Sequence, residues 1–141
     1  MIDVLVIDDN KVDQETVIRL LTKNGMNVTV VSDGKEALEI KQKFQCIVID
    51  YNLSDHDGVE LAKKFIQRSN AVIILIKGQL LTIKALKSGV YDYIPKEDLN
   101  LLPQAIIDSA KKNELIIKQQ RNLKELVKLN NNLDKKLNGG I

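Results

Sequence analysis

Residues 46–53 read Cys46-Ile47-Val48-Ile49-Asp50-Tyr51-Asn52-Leu53. An unbroken apolar run, mostly β-branched and closed by a carboxylate, is the pattern of a strand covered on both faces, because a half-exposed strand would alternate. Outward from it the same texture returns at Val4-Leu5-Val6-Ile7, which ends on Asp8 and Asp9, at Val28-Thr29-Val30-Val31 and at Val72-Ile73-Ile74-Leu75-Ile76. A shorter run, Val90-Tyr91-Asp92-Tyr93-Ile94, precedes Lys96.

Between these runs lie segments with helical spacing. Val12, Val17, Leu20 and Leu21 mark one, Ala37, Leu38 and Ile40 a second, Leu61, Ala62, Phe65 and Ile66 a third, and Leu81, Ile83, Ala85 and Leu86 a fourth. Asn24-Gly25, Ser32-Asp33-Gly34, Asp55-His56-Asp57-Gly58 and Ser88-Gly89 supply the joints. Strands alternating with helices at this spacing require right-handed crossovers. The expectation is an α/β fold, a flavodoxin-like doubly wound five-stranded parallel sheet of order 2-1-3-4-5. After Pro103 there is no further Pro, and no Gly until Gly139, so one extended C-terminal helix is predicted to about Leu137, with Asn138-Gly139-Gly140 as its stop. Residues 1–112 would form the globular domain, 113–138 a helical extension and 139–141 a tail. Ile116, Gln119, Leu123, Leu126, Asn130, Leu133 and Leu137 recur at 3-4 spacing, and a lone Asn among apolar positions favours a two-stranded coiled coil, hence a homodimer. The bland alternative is a solvated helix lying against its own domain.

The bulk numbers narrow the function classes. With 21 Lys and Arg against 19 Asp and Glu the net charge is +2, and no clustered basic face precedes residue 111, so a nucleic-acid partner is not expected. Absence of Trp removes the best base-stacking side chain. Cys46 is the only cysteine, which excludes a disulfide framework. No apolar stretch is long enough to span a bilayer and the chain enters a strand pattern at once, so no membrane partner is expected and the expected location is the cytoplasm.

In doubly wound folds the site lies outside the carboxyl ends of the strands. Asp8, Asp9, Asp50 and Lys96 all stand there, and the order 2-1-3-4-5 is expected to make neighbours of strands one, three and five. Three carboxylates held together raise one another's pKa unless a cation neutralises them, and Mg²⁺ with oxygen ligands is suited to that role. A carboxylate beside Mg²⁺ and a lysine is a chemically sensible phosphoryl acceptor. Any one acid alone would more often be a helix cap.

These segments resemble the response-regulator receiver family over roughly residues 2 to 112. Val4 to Asn10 is similar to the family's first strand and acidic pair, Ile47 to Leu53 with Asp57-Gly58 to its phosphoacceptor segment, and Ala85 to Lys96 to its fourth helix and fifth strand. The resemblance implies that Asp50 takes a phosphoryl group from a sensor histidine kinase or phosphotransfer protein. It implies Asp9 as a direct Mg²⁺ ligand and Asp8 as a partly water-mediated one, with Asp50 and the backbone carbonyl of Asn52 completing the protein's share. Lys96 would meet the phosphoryl oxygens, and Tyr93 matches the family's aromatic switch, its other reading being a half-buried strand tyrosine. Such a domain is a signalling switch rather than an enzyme acting on a separate substrate, with a possible downstream effector domain.

Two departures stand out. Where the family usually has Ser or Thr at the end of the fourth strand, the nearest residues here are Ile76 and Lys77, followed by Gly78 and Gln79; Lys77 would offer an ammonium instead, or point to solvent. Ser54 and Glu97 replace prolines common in the family. The missing hydroxyl sustains an alternative, a pseudo-receiver acting as a phosphorylation-independent interaction or dimerisation module. A hydrolase with an Asp nucleophile lacks an evident general acid, and no phosphate-binding Gly-rich turn follows the first strand. His56, the only histidine, is expected on a loop surface rather than as a phosphodonor.

Overall fold

A computed structural model describes residues 1–77, 87 and 89–139, with the side chains of 77 and 137–139 excepted. The segment read as the fourth helix, Gly78 and Gln79, Ser88, the last two residues of the tail and the side chains of Lys77 and Leu137 lie outside the described residues. The chain divides into two units, Met1–Ala110 and Lys111–Ile141.

In the first unit, strands β1 (Asp3–Ile7), β2 (Asn27–Val31), β3 (Cys46–Asp50), β4 (Val72–Lys77) and β5 (Asp92–Pro95) form one parallel sheet of order β2-β1-β3-β4-β5. This is the expected order. Helices α1 (Lys11–Lys23), α2 (Gly34–Glu39) and α3 (Gly58–Arg68) follow the first three strands, and 3-10 turns over Lys96–Leu101 follow the fifth. The long helix α4 (Leu102–Gly139) begins in this unit.

The unbroken apolar runs have a direct physical cause. Strand side chains alternate between faces, and both faces here are covered. Val4, Val6, Val48, Ile74 and Ile76 pack with Val17 and Leu21 of α1 and with Leu102 and Ile106 of α4. Leu5, Ile7, Ile47, Ile49 and Leu75 pack on the other side with Ala37 of α2 and Val59, Leu61 and Phe65 of α3. Cys46 is fully buried among the first set, where burial pushes its thiol pKa far up, as expected of a structural cysteine.

Helices α1, α2 and α3 each start on a polar cap beyond the carboxyl end of a strand, so helix starts and acidic residues gather on the same rim of the sheet. The side chain of Asn10 accepts from Asp13 N–H (3.0 Å), Asp33 from Glu36 N–H (2.8 Å) and Asp57 from Val59 N–H (2.8 Å). Gly25 has φ +76°, a left-handed conformation that reverses the chain after α1 with little strain only for glycine. Gly58 serves a different need: a Cβ there would lie 2.7 Å from Tyr51 Cα, so only glycine lets α3 begin against the loop that follows Asp50.

Some expectations need correcting. β5 spans Asp92–Pro95 rather than starting at Val90, and the long helix starts one residue before Pro103 and continues through Gly139 instead of stopping ahead of it. Pro at a first helical turn loses no hydrogen bond, and its fixed φ suits the helix. Val12, read with the apolar face of α1, is 70% exposed. It lies five residues before Val17, about 140° around the helix from the buried stripe.

Candidate functional site

Asp8 is the first residue after β1, and Asp50 is the last of β3; both are buried, while Asp9 is exposed. One carboxylate oxygen from each of Asp8, Asp9 and Asp50 lies within 4.8 Å of the others. Backbone amides fix their orientations. Asn10 N–H donates to Asp8 Oδ1 (2.9 Å), Asn52 N–H to Asp50 Oδ1 (3.1 Å) and Ser54 N–H to Asp9 Oδ2 (3.0 Å). Asn52 also bridges to Asp57, which folds the loop after β3 back over the rim.

Lys96 Nζ stands 3.6 Å from Asp50 Oδ2. Strands one, three and five are not all neighbours, contrary to expectation: β4 lies between β3 and β5. Lys96 begins two strand spacings from Asp50, roughly 10 Å, and its four-carbon stem carries the charge over the end of β4. The register sets Asp50 beside Ile76, and Lys77 beside Pro95, the residue before Lys96. Lys77 therefore occupies the backbone position that this bridge crosses. Tyr93 is partly buried in β5 and packs against the core cluster formed with α2 and α3.

Asp13 belongs to the same cluster, and sequence reasoning missed it. From the first turn of α1 its Oδ2 holds Lys96 Nζ at 3.3 Å, closer than Asp50 does. The signal available was the capping pattern, Asn10 followed three residues later by an acid; nothing local revealed a partner 83 positions away. Gln14, on the next position, donates through its amide to the carbonyl of Asp8 and steadies the turn between β1 and α1.

The electrostatics follow from burial. The Asp8 carboxyl is pushed up to about 7, chiefly by desolvation and further by the charges of Asp50 and Asp13, with the Asn10 amide working against the rise. Desolvation opposes the charge on Lys96, but Asp50 first, then Asp13 and Asp8, outweigh it and hold its pKa above the ordinary lysine value. The donors are all hard oxygens, gathered at one point and carrying more negative charge than Lys96 offsets. That chemistry fits a small divalent cation such as Mg²⁺.

His56 is not on an open surface. It is half-buried over Gly34 at the start of α2, where a Cβ on Gly34 would meet its Nδ1 at 2.6 Å. Its neighbour Asp55 accepts from the Gly34 and Lys35 amides (3.0 and 3.1 Å). Against a desolvation penalty, these bonds and His56 hold the Asp55 carboxyl below its usual range. The loop after β3 is thereby tied to α2, which braces the residues that follow Asp50.

The model of the response regulator receiver domain family matches residues 4–107. The chain is 32% identical over 99 residues to the regulatory protein VirG of Agrobacterium fabrum, covering 66% of this chain and 39% of VirG. It is 31% identical over 126 residues to the protein-glutamate methylesterase/protein-glutamine glutaminase of Archaeoglobus fulgidus, covering 83% of this chain and 35% of that protein. It thus spans well under half the length of either relative. Among solved structures, the receiver domain of the Francisella response regulator 1452 is 32% identical, with a TM-score of 0.74 over 79% of this chain and 98% of that one. A CheY-like receiver domain protein from Methanospirillum hungatei shares the fold at 22% identity, with a TM-score of 0.74 over 81% and 97% of the two chains.

Proposed function

Because the chain belongs to the response-regulator receiver family, we propose that Asp50 accepts a phosphoryl group from a phosphohistidine on a sensor kinase or phosphotransfer protein, in a Mg²⁺-dependent reaction, and that the signal leaves through α4. The observation that carries this reading is the position of Asp50: buried, its carboxylate within reach of Asp8 and Asp9 on one side and 3.6 Å from Lys96 on the other.

Asp9, Asp8 and Asp50, with the backbone carbonyl of Asn52, would hold Mg²⁺. When bound, Mg²⁺ neutralises the carboxylates and the charge on the phosphoryl oxygens. Asn52 N–H turns the Asp50 carboxylate toward its donor. A carboxylate oxygen attacks phosphorus, the P–N bond to the imidazole breaks, and a P–O bond forms to give an acyl phosphate. The Lys96 ammonium meets the oxygens of the transferred group and stabilises their charge. Tyr93 would couple the phosphorylated state to the surface of β5, with Lys77 standing where the family's hydroxyl normally does. The chain would work in the cytoplasm, pair with a second copy through the helix beyond Lys111, and act on a downstream effector domain or protein. Its role would be a signalling switch, with catalysis limited to its own phosphorylation and dephosphorylation.

Intact mass after incubation with acetyl phosphate and Mg²⁺ tests the reading. The wild type is expected to gain one phosphoryl group and Asp50→Asn none; equal labelling of both would overturn it, and no labelling of either would favour the pseudo-receiver.

Asp13 supplies a second prediction. It holds Lys96 in the unphosphorylated protein, so Asp13→Asn releases the ammonium for the incoming group. The ion pair is partly exposed and is worth up to about 1 kcal/mol, so phosphorylation by acetyl phosphate is expected to speed up by as much as about fivefold. A slower reaction in stopped-flow measurements would mean that Asp13 positions Lys96 productively instead.

A further inference from the structure

The second unit exposes an apolar stripe along α4. Leu115, Ile116, Leu123, Leu126, Val127, Leu129 and Leu133 are between 43% and 63% exposed. Gln119 and Asn130 lie in the middle of that stripe, also exposed. From Lys111 onward the chain carries eight Lys and Arg against three Asp and Glu. An anionic membrane would suit the charge, but burying the stripe in lipid would strand the two amides without partners. A second copy of the helix can supply those partners, and the direction in which it lies decides whether every position is matched.

In a parallel pair each core residue faces itself, so Gln119 meets Gln119 and Asn130 meets Asn130. The flanking positions then mismatch throughout: Leu115 falls beside Gln120 of the second copy, Asn122 beside Val127, and Leu129 beside Asp134. An antiparallel pair behaves differently. Setting Leu123 opposite Leu126 of the second copy places Ile116 opposite Leu133 and Gln119 opposite Asn130, all in one register. The flanks match as well, with Leu115 beside Leu129, Val127 beside Val127 and Asn122 beside Asn122. Polar meets polar and apolar meets apolar at each of these positions. The arrangement is isologous, as a two-fold axis requires, and the opposed helix dipoles favour it.

We propose that residues 115–133 form a self-complementary antiparallel seam whose partner is a second copy of this chain. This rests on the reading above that α4 pairs with itself, and commits it to one direction and one register. Single variants Gln119→Cys and Asn130→Cys of the full chain, oxidised separately and as a mixture, test it; the native Cys46 is buried, and the wild type is the control. In the antiparallel register like positions 119 stand 11 residues apart along the pair, roughly 16 Å, beyond disulfide reach. Covalent dimer is therefore expected in the mixture, at least tenfold above either variant alone. Disulfide dimers of each variant alone would overturn the antiparallel seam while leaving pairing itself intact. A monomer by sedimentation equilibrium, with no cross-link in any sample, would overturn both.

Discussion

Asp8→Asn is expected to stabilise the metal-free protein at pH 8 while weakening its affinity for Mg²⁺. Asp8 is 2% exposed, and its carboxyl is pushed up to about 7 in the fold, first by burial and then by Asp50 and Asp13, from an ordinary value of 3.8. The sign follows from proton counting. Between those two values the folded protein holds a proton that the unfolded chain has lost, so stability falls as pH rises from about 4 to about 7 and stays low above it. A rise of about three pKa units corresponds to a loss on the order of 4 kcal/mol at pH 8. Asparagine keeps the shape, and its amide oxygen can still accept from Asn10 N–H, but it brings no charge. Urea denaturation at pH 5 and pH 8 should show a large gain for the variant at pH 8 that shrinks toward pH 5. Mg²⁺ should stabilise the wild type more than the variant. A variant less stable than the wild type at pH 8 would contradict this account of the site as an electrostatically strained cluster.

The second large effect concerns Lys96. Its pKa is held up by the facing carboxylates, so it stays charged across the workable pH range and cannot act as a base. In the proposed function it meets charge that builds on the phosphoryl oxygens. Removal of one such preorganised donor typically costs about a hundredfold or more in rate. Lys96→Met is therefore expected to slow phosphorylation by acetyl phosphate about a hundredfold, with Mg²⁺ affinity close to that of the wild type. Arginine should restore little, because its planar fork is wider than the point charge that crosses the end of β4. Metal titration beside single-turnover labelling separates the two quantities; an unchanged labelling rate with tighter Mg²⁺ binding would show that Lys96 only balances the acidic cluster.

Much of this molecule was legible in its sequence for one physical reason: a sheet buried on both faces turns each strand into an unbroken apolar run. The runs at Val4–Ile7 and Ile47–Ile49 also announced the acids that follow them, since strand ends in such folds point into the site. What escaped was whatever depends on distant partners. Asp13 read as a first-turn acid, yet its carboxylate grips Lys96, 83 positions further along the chain. Val12 read as core because it is apolar and near Val17, but its place around the helix turns it outward. His56 read as a loop residue, whereas the hydrogen bonds of Asp55 to the start of α2 draw that loop inward and half-bury it. β4 stands between Asp50 and Lys96, so only a long side chain at position 96 brings its charge to 3.6 Å from Asp50.

The most direct test of the central claim is chemical identification of the phosphorylated side chain. Borohydride cleaves an acyl phosphate reductively, converting the aspartate that carried it into homoserine. Peptide mass spectrometry after acetyl phosphate, Mg²⁺ and borohydride should find homoserine at position 50, with Asp8, Asp9 and Asp13 unchanged. Homoserine at one of those three positions, with Asp50 intact, would contradict the assignment of Asp50 as the phosphoryl acceptor.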